Sequence, residues 1–310
     1  MPVNHPPVPG SALWVLAHPR PKSLNGHLYR AGVEALSRDH DVATSDLYSL
    51  GFDPVFGRAD LGEPHDRPGN LAELAGQAYS RGELPAQVQA EHAKLAAAEL
   101  LVLQFPLWWY GPPAILKGWL DRVLTDSFAY DNELDPDVHL PRRYGDGGLT
   151  RRKALIIVTA GEDERTIGPR GLSGDLDSLL FPLTHGALWY VGIDALDLHV
   201  VHDADSLAAG DVERERERLL RRLQGIDSEP SRPYRSLRDG DYPSDLRALN
   251  PDLLPGRTDL GIHRREPRAH TLPAGADAWP ITTRSPDPGA PEYMAFSVAS
   301  DDGASRAARR

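Results

Sequence analysis

The sequence predicts an α/β protein with a doubly wound parallel sheet and an irregular C-terminal extension. Short apolar segments alternate with segments whose apolar residues recur at helical spacing, a pattern typical of a parallel sheet covered by helices on both faces. The alternation ends near Ile226, and eleven of the 28 prolines follow it. We therefore predict a sheet domain over residues 1–225 and an extension over residues 226–310. The extension is expected to wrap over the sheet domain or a partner subunit, with roughly its last twenty residues disordered.

Five strands and five helices follow from the local pattern. Short apolar runs predict strands at residues 12–17, 42–47, 100–105, 154–159 and 195–201. Helical spacing predicts helices at residues 24–38, 86–98, 113–124, from 175 onward and at 211–224. Ser23 has the residue type of an N-cap, and Pro113 lies near a helix start, where proline is favoured. In such sheets ligands bind at the carboxyl ends of the strands, so the loops after Ala17, Phe105 and Thr159 are the places to examine.

Composition excludes several classes of function. The formal net charge is −11 and the pI about 5.5, which argues against a nucleic-acid-binding protein. The chain has no cysteine, which excludes disulfides, thiolate nucleophiles and cysteine-ligated metals. The N-terminus has no basic segment, and the apolar run at residues 12–17 is too short for a signal peptide or a membrane span. We expect a cytoplasmic protein.

The loop at residues 18–25 joins the first strand to the first helix. A helix N-terminus offers unpaired N–H groups and a positive dipole end, which suit a phosphate. Ser23 and Asn25 can add donors, and His18 can donate from its ring. A capped turn with no ligand fits the residues equally well. Neither a GxGxxG nor a GxxxxGK[ST] motif is present.

The loop at residues 105–113 carries three adjacent aromatic residues, Trp108, Trp109 and Tyr110. A buried core rarely needs three in a row, because successive side chains of an extended chain point in opposite directions. We favour a wall for a flat heterocycle over a hydrophobic plug or a dimer contact.

The loop at residues 159–168 contains Gly161, which lets the backbone approach a ligand closely. Backbone N–H groups here could stabilise charge that develops on a bound ring. The acidic run at residues 162–164 is interpreted as a solvated face, since no histidine stands at a metal-ligand spacing, and no metal site is predicted.

These loops together resemble the NAD(P)H:quinone oxidoreductases of the DT-diaphorase type, which have a flavodoxin-like fold. The segments that carry the resemblance are ALWVLAHPRPKSLNG, SDLYSLGFDPV, LLVLQFPLWWYGPPAILKGWLDRV followed by SFAY, and TAGEDERTIGPRGLSGD. The resemblance covers roughly residues 12–225. It implies FAD at a homodimer interface and ping-pong hydride transfer, from NADH or NADPH through flavin N5 to a quinone-like acceptor.

The resemblance also implies roles for individual positions. His18, Leu24 and Asn25 match contacts to the FAD phosphates and ribose. Asn70 falls at a contact from the partner subunit, and Arg214 at an adenine-side arginine. Gly161 and Glu162 are expected to act in catalysis through their backbone donors. The residues that match the stretch along the flavin ring are Pro106, Leu107, Trp108, Trp109 and Tyr110. Those at the polar edge of the ring are Thr159, Ala160, Gly161 and Glu162. Those around the acceptor are Trp109, Tyr130, Asn132, Ile167 and Ser173.

This chain departs from the family at several of these positions. Glu162 replaces the second glycine of a pair, Trp108 replaces a glutamine, and Asn132 replaces a pocket tyrosine. The family's tyrosine and histidine that assist hydride transfer fall at Ile167 and Ser173. The flavin carries the hard chemistry, so the activity survives in principle. Arg165, Thr166 or Arg170 could compensate.

We predict an FAD-dependent NAD(P)H:quinone reductase that also accepts azo or nitro compounds. One alternative is a flavin-binding regulatory or ancillary subunit with weak reductase activity, suggested by Ile167 and Ser173. Another is a reductase dedicated to one biosynthetic intermediate, suggested by Trp108, Tyr130 and Asn132.

Overall fold

The computed structural model describes residues 5–134, 141–243 and 248–265. Its centre is a parallel sheet whose strands are β1 (Ser11–Leu16), β2 (Asp41–Asp46), β3 (Leu100–Pro106), β6 (Arg152–Thr159), β7 (Ile193–Ala195) and β8 (His199–Val201). These strands lie in the order β2-β1-β3-β6-β7, with β8 also paired to β6. The strand order and the parallel pairing confirm the predicted doubly wound α/β fold class.

Helices cover both faces of this sheet. They are α1 (Leu24–Leu36), α2 (Leu71–Ser80), α3 (Ala86–Ala97), α4 (Ala114–Val123), α5 (Leu176–Leu179) and α6 (Ala209–Gln224). Alternate residues of β1 point to opposite faces. Leu13 packs in one buried cluster with Trp119 of α4, whereas Trp14 packs in another with Leu28 of α1 and Leu219 of α6. The strands are therefore buried from both sides, as the continuous apolar runs predicted.

A chain of buried polar side chains fixes α1 over the strand ends. Trp14 Nε1 donates to Gln104 Oε1 at 3.0 Å, and Gln104 Nε2 donates to the carbonyl of Asn25 at 2.8 Å. Asn25 Nδ2 in turn donates to Thr159 Oγ1 at 2.7 Å. Because an unpaired buried polar group is costly, this chain holds the start of α1 at one place above β3 and β6.

Three features of the fold differ from the sequence-based expectation. The pattern did not predict α2, nor the two-stranded antiparallel hairpin of β4 (Asp131–Leu134) and β5 (Pro141–Arg142). The strand predicted at residues 195–201 is divided into β7 and β8. The helical stretch that begins near residue 175 continues from α5 into a π-helix at Pro182–Trp189. Such helices are rare and are frequently found at functional sites.

The first part of the extension packs against the sheet domain. Tyr234 is buried in the same cluster as Trp119, and the N–H of Arg232 donates to the carbonyl of Ala195 at 2.8 Å. The expected disorder of the last twenty or so residues lies outside the described residues. Within the described residues, none of the helices combines the length and the hydropathy that crossing a membrane requires.

Candidate active site

The three loops singled out in the sequence meet at the carboxyl edge of the sheet. The N–H of Leu107 donates to the carbonyl of Thr159 at 2.8 Å, which joins the second loop to the third. Asn25 joins the first loop to the third through its bond to Thr159 Oγ1. Asn25 and Thr159 are both buried, so their side chains position the loops.

The first loop presents the ring of His18 beside the start of α1. Ser23 Oγ accepts from the N–H of Gly26 at 3.1 Å and so caps the helix as predicted. The N–H of Arg20 donates to His18 Nδ1 at 3.1 Å. Burial lowers the pKa of His18, which favours the neutral ring. His18 Nδ1 also lies 3.2 Å from the carbonyl of Arg20 and 3.0 Å from Ser23 Oγ, so these contacts hold the ring in place in either neutral tautomer. Leu24 is the first residue of α1 and is half-buried.

The second loop turns sharply at its aromatic residues. The N–H of Trp108 donates to the carbonyl of Gly111 at 3.0 Å, and the reverse bond measures 3.1 Å. Between them Trp109 and Tyr110 have φ angles of 49° and 60°. Two central residues with positive φ make a type I′ turn, which normally carries asparagine and glycine. Residues 108–111 are called the aromatic turn below.

The aromatic turn is strained and open. Each non-glycine residue with left-handed backbone costs roughly 1–2 kcal/mol. Trp109 is nevertheless 97% exposed, so burial of its ring within the described residues does not offset the strain. Trp108 and Tyr110 are also exposed, whereas Pro106 and Leu107 are buried or half-buried at the end of β3. Strained backbone of this kind clusters at active sites and at ligand-binding segments.

The third loop leaves backbone donors open. Ala160 is buried and its N–H donates to the carbonyl of Val201 at 2.8 Å. In the part of the chain that the structure describes, the N–H groups of Gly161 and Glu162 have no hydrogen-bond partner. A Cβ at Gly161 would lie 2.5 Å from Asp205 Oδ2, so a larger residue would crowd this face. Two adjacent open donors can bind an acceptor atom of a ligand.

Tyr110 lies within hydrogen-bond distance of two other predicted site residues, one on the third loop and one in the segment that follows it. Tyr110 Oη donates to Glu162 Oε1 at 3.2 Å and lies 3.0 Å from Ser173 Oγ. Glu162 Oε2 is buried and has no partner among the described residues. The next acidic residue, Asp163, is instead used in the loop itself, because it accepts from Thr166 and pairs with Arg165.

A cavity of about 460 Å³ lies between α4, the π-helix and the start of β4. Its walls include Leu120, Leu124, Tyr130, Leu183 and Tyr190, and the rings of the two tyrosines meet edge to face at 5.3 Å. Burial, with the nearby Asp126, raises the pKa of Tyr130 to about 12, so its hydroxyl remains a donor. Tyr190 was missed because it stands in an apolar stretch with no polar signal beside it.

A polar pair lies beside Tyr130, next to a second and smaller cavity that Tyr130 and Asp126 both line. Asn132 is exposed, and its Nδ2 donates to Asp126 Oδ1 at 3.3 Å. Burial, followed by the charge of Asp131, raises the pKa of Asp126 to about 6. The sequence reading included Asn132 but not Asp126.

Three other predicted residues lie outside this cluster. Asn70 caps α2, with its Oδ1 accepting from the N–H of Ala72 at 2.8 Å. Arg214 is exposed on α6, where it pairs with Asp211. Ile167 is 4% exposed and belongs to the core cluster. In the described residues, no contact joins Asn70 or Arg214 to the three loops.

The model of the family described as having a flavodoxin-like fold matches residues 11–224. The chain belongs to this family. It is 36% identical over 259 residues to the ribosyldihydronicotinamide dehydrogenase-like protein traD of Penicillium crustosum, a match that covers 82% of this chain and 95% of the relative. It is 37% identical over 194 residues to NAD(P)H dehydrogenase (quinone) 1 of Rattus norvegicus, covering 62% of this chain and 68% of that protein. The family resemblance read from the sequence is confirmed.

A solved structure extends the same relationship. A candidate quinone reductase from Klebsiella pneumoniae is 36% identical, with a TM-score of 0.77 over 82% of this chain and 99% of that one. Only ten residues precede the segment matched by the family model, so a match over 82% of the chain must include residues after 224. Part of the extension is therefore shared with this protein.

Proposed function

We propose that the protein is an FAD-dependent NAD(P)H:quinone oxidoreductase that works by a ping-pong scheme and also accepts azo or nitro compounds. The observation that carries the proposal is the strained, exposed aromatic turn beside the open N–H groups of Gly161 and Glu162. A flat heterocycle with a polar edge would cover the aromatic rings and use both donors. Relatives named as quinone reductases support the reaction class.

The residues present fit an FAD molecule. The capped start of α1 and the ring of His18 offer donors to a diphosphate. The aromatic turn offers a wall to the flavin ring, and the N–H groups of Gly161 and Glu162 offer donors to its polar edge. When bound, FAD would supply the hydride chemistry that these side chains lack. The protein's part is then to orient the ring, exclude water and stabilise developing negative charge with the N–H groups of Gly161 and Glu162.

The cavity beside Tyr130 and Tyr190 is proposed to take the acceptor or the nicotinamide in turn. Its walls are mainly apolar, and the hydroxyl of Tyr130 can orient a carbonyl oxygen. A quinone matches both properties, because its ring is flat and apolar and its two oxygens accept hydrogen bonds.

The remaining predictions stay part of this proposal. Asn70 would reach FAD only across a homodimer, which accounts for its lack of contact with the loops inside one chain. Arg214 would contact the adenine side from α6, which packs against α1. We also propose a cytoplasmic location, as expected for an enzyme that uses NADH or NADPH.

The test is reconstitution followed by reduction. Purified protein is incubated with FAD, desalted, and mixed anaerobically with NADH or NADPH. We expect retained flavin absorbance that bleaches on addition. Retained flavin that does not bleach would favour the ancillary-subunit alternative, and no retained flavin would overturn the proposal.

A pair of glycine variants locates the site. Gly161→Val should weaken FAD binding at least about tenfold, which is about 1.4 kcal/mol, because a Cβ there would lie 2.5 Å from Asp205 Oδ2 and would displace the loop that carries the open N–H groups. Gly225→Val is the matched control, since a Cβ at Gly225, just after α6, meets nothing within 4 Å and its φ is −111°. Equal affinities in the two variants would show that FAD does not bind against the third loop.

A further inference from the structure

Reduction of a quinone by hydride needs a proton that the nicotinamide does not supply. NADH gives up two electrons and one hydrogen nucleus as hydride. A quinone that accepts this hydride becomes the monoanion of the hydroquinone, and one proton completes the neutral product. If the proposed function holds, this protein must deliver that proton in each turnover.

The hydrogen-bonded group of Glu162, Tyr110 and Ser173 has the composition of a short proton path. Tyr110 comes from the second loop, Glu162 from the third, and Ser173 from the segment between the third loop and α5, and Tyr110 Oη lies within hydrogen-bond distance of both partners. Tyr110 is 42% exposed, and Pro112, two positions further along the chain, lines the cavity proposed for the acceptor. A phenol both donates and accepts, which lets it pass a proton on.

Glu162 has an unusual environment for a carboxyl group. Oε1 accepts from Tyr110, but Oε2 is buried and has no partner among the described residues. This unpaired oxygen has lone pairs that can accept a proton or a hydrogen bond. The residue also follows Gly161, whose N–H is one of the two open donors of the third loop.

Most of the charged groups around Glu162 are carboxylates. On its own loop, Asp163 and Arg165 pair with each other. After β8, the N–H of Asp203 donates to the carbonyl of Glu162, and the carboxylate of Asp205 lies against Gly161. Hydride delivery adds one further negative charge at this edge. Added negative charge favours proton uptake by a neighbouring carboxylate.

We infer that Glu162 stores the proton of the catalytic cycle and that Tyr110, held by Ser173, delivers it to the reduced acceptor. Glu162 takes one proton from solvent when hydride enters the site. After hydride reaches the quinone, Tyr110 Oη gives its proton to the hydroquinone oxyanion and takes a replacement from the Glu162 carboxyl. The nicotinamide is oxidised, the quinone is reduced, and Glu162 returns to carboxylate. The inference rests on the proposed function.

Proton uptake tests the role of Glu162 without turnover. FAD-loaded protein in weakly buffered solution is reduced anaerobically with one equivalent of NADH, and a pH-indicator dye records protons consumed. We expect about one proton per NADH for the native protein and less than half a proton for Glu162→Gln. Glu164→Gln, on the same loop and exposed, is the control and should match the native protein. Equal uptake in all three proteins, or none in the native protein, would overturn the inference.

Two oxidants test the role of Tyr110. Hydroquinone formation consumes a proton, whereas ferricyanide takes up one electron and no proton. Because general acid catalysis commonly contributes 10²–10⁴-fold, Tyr110→Phe should lower kcat with a quinone at least about tenfold more than it lowers kcat with ferricyanide. Equal losses with both oxidants would show that Tyr110 only positions the loop. Both experiments start from FAD-loaded protein. If the native protein retains no FAD, that result contradicts the proposed function and is obtained before either experiment begins.

Discussion

Aromatic side chains differ in exposure between the aromatic turn and the described part of the extension, residues 226–243 and 248–265. In the turn, Trp109 is almost fully exposed on strained backbone. In the extension, Tyr234 is 4% exposed, and its Oη donates to Thr184 Oγ1 at 2.8 Å. The turn thus leaves an aromatic ring open, whereas the extension buries one and satisfies its hydroxyl.

The charged groups differ in whether they have an ionic partner. Arg232 and Arg264 of the extension share the carboxylate of Asp177, at 2.8 and 3.0 Å, although Arg232 Nη1 and Arg264 Nε are buried without a partner among the described residues. In the third loop, Glu162 forms no ion pair within the described residues, and its Oε2 has no partner. The extension also contacts the π-helix that forms a wall of the cavity, since Trp189 Nε1 donates to the carbonyl of Arg235 at 3.0 Å. The comparison indicates that the extension holds the scaffold in place, while the loops keep groups free for ligands.

The largest effect is expected where the extension enters the core. Tyr234→Ala should lower the free energy of unfolding by about 3–5 kcal/mol, because a large buried ring is lost and a cavity remains. Tyr234→Phe keeps the ring but removes the hydroxyl, which donates to Thr184 and accepts from Arg264, and should cost about 1–2 kcal/mol. Guanidinium denaturation measures both. FAD affinity of the folded Tyr234→Phe protein should be unchanged. A weakening comparable to that of Gly161→Val would show that the extension also contributes to the FAD site.

A pH dependence is expected at the contact between the extension and the π-helix. Burial, with the neighbouring charges of His263 and Arg264, lowers the pKa of His185 to about 4. In the unfolded chain a histidine titrates near 6.5, so between about pH 6.5 and 4 the unfolded state binds a proton that the folded state does not. This term therefore lowers stability as pH falls, by about 2 kcal/mol at pH 5.

The variant His185→Phe tests that term, because a phenylalanine keeps the stack on Phe181 and cannot take up a proton. Denaturation midpoints are compared at pH 8 and pH 5. The native protein should lose more stability than the variant between these two values. Parallel losses would mean that the contact between His185 and the extension makes no contribution to acid sensitivity.

The sequence predicted the sheet well because its strands are buried from both sides and so read as continuous apolar runs. Helix α2 escaped because its sequence is LAELAGQAYS, in which small residues hide the helical period. Its start signal was present, since Asn70 precedes Glu73 by three positions, but Asn70 was interpreted as a cofactor contact. The hairpin of β4 and β5 was missed because its strands are short and mostly polar.

The site was predictable in its parts but not in its connections. Strand ends of a parallel sheet meet at one edge, which is why the three loops could be grouped from the sequence. The bonds from Tyr110 to Glu162 and Ser173 span 52 and 63 positions, and no local pattern specifies contacts over that distance. Tyr190 escaped for a similar reason, because only the packing of the π-helix brings it against Tyr130.

The smallest effect is expected at the aromatic turn, and its sign is opposite to that in the extension. Trp109→Asn places a residue that tolerates left-handed backbone at φ 49°, so stability should rise by about 1 kcal/mol. Leu172→Asn is the control, since Leu172 is 96% exposed and is not among the residues with positive φ. Denaturation should show no gain there. If Trp109 forms the wall proposed for the flavin, Trp109→Asn should weaken FAD binding while it stabilises the fold. A variant that gains stability and keeps its FAD affinity would mean that the strain serves no ligand.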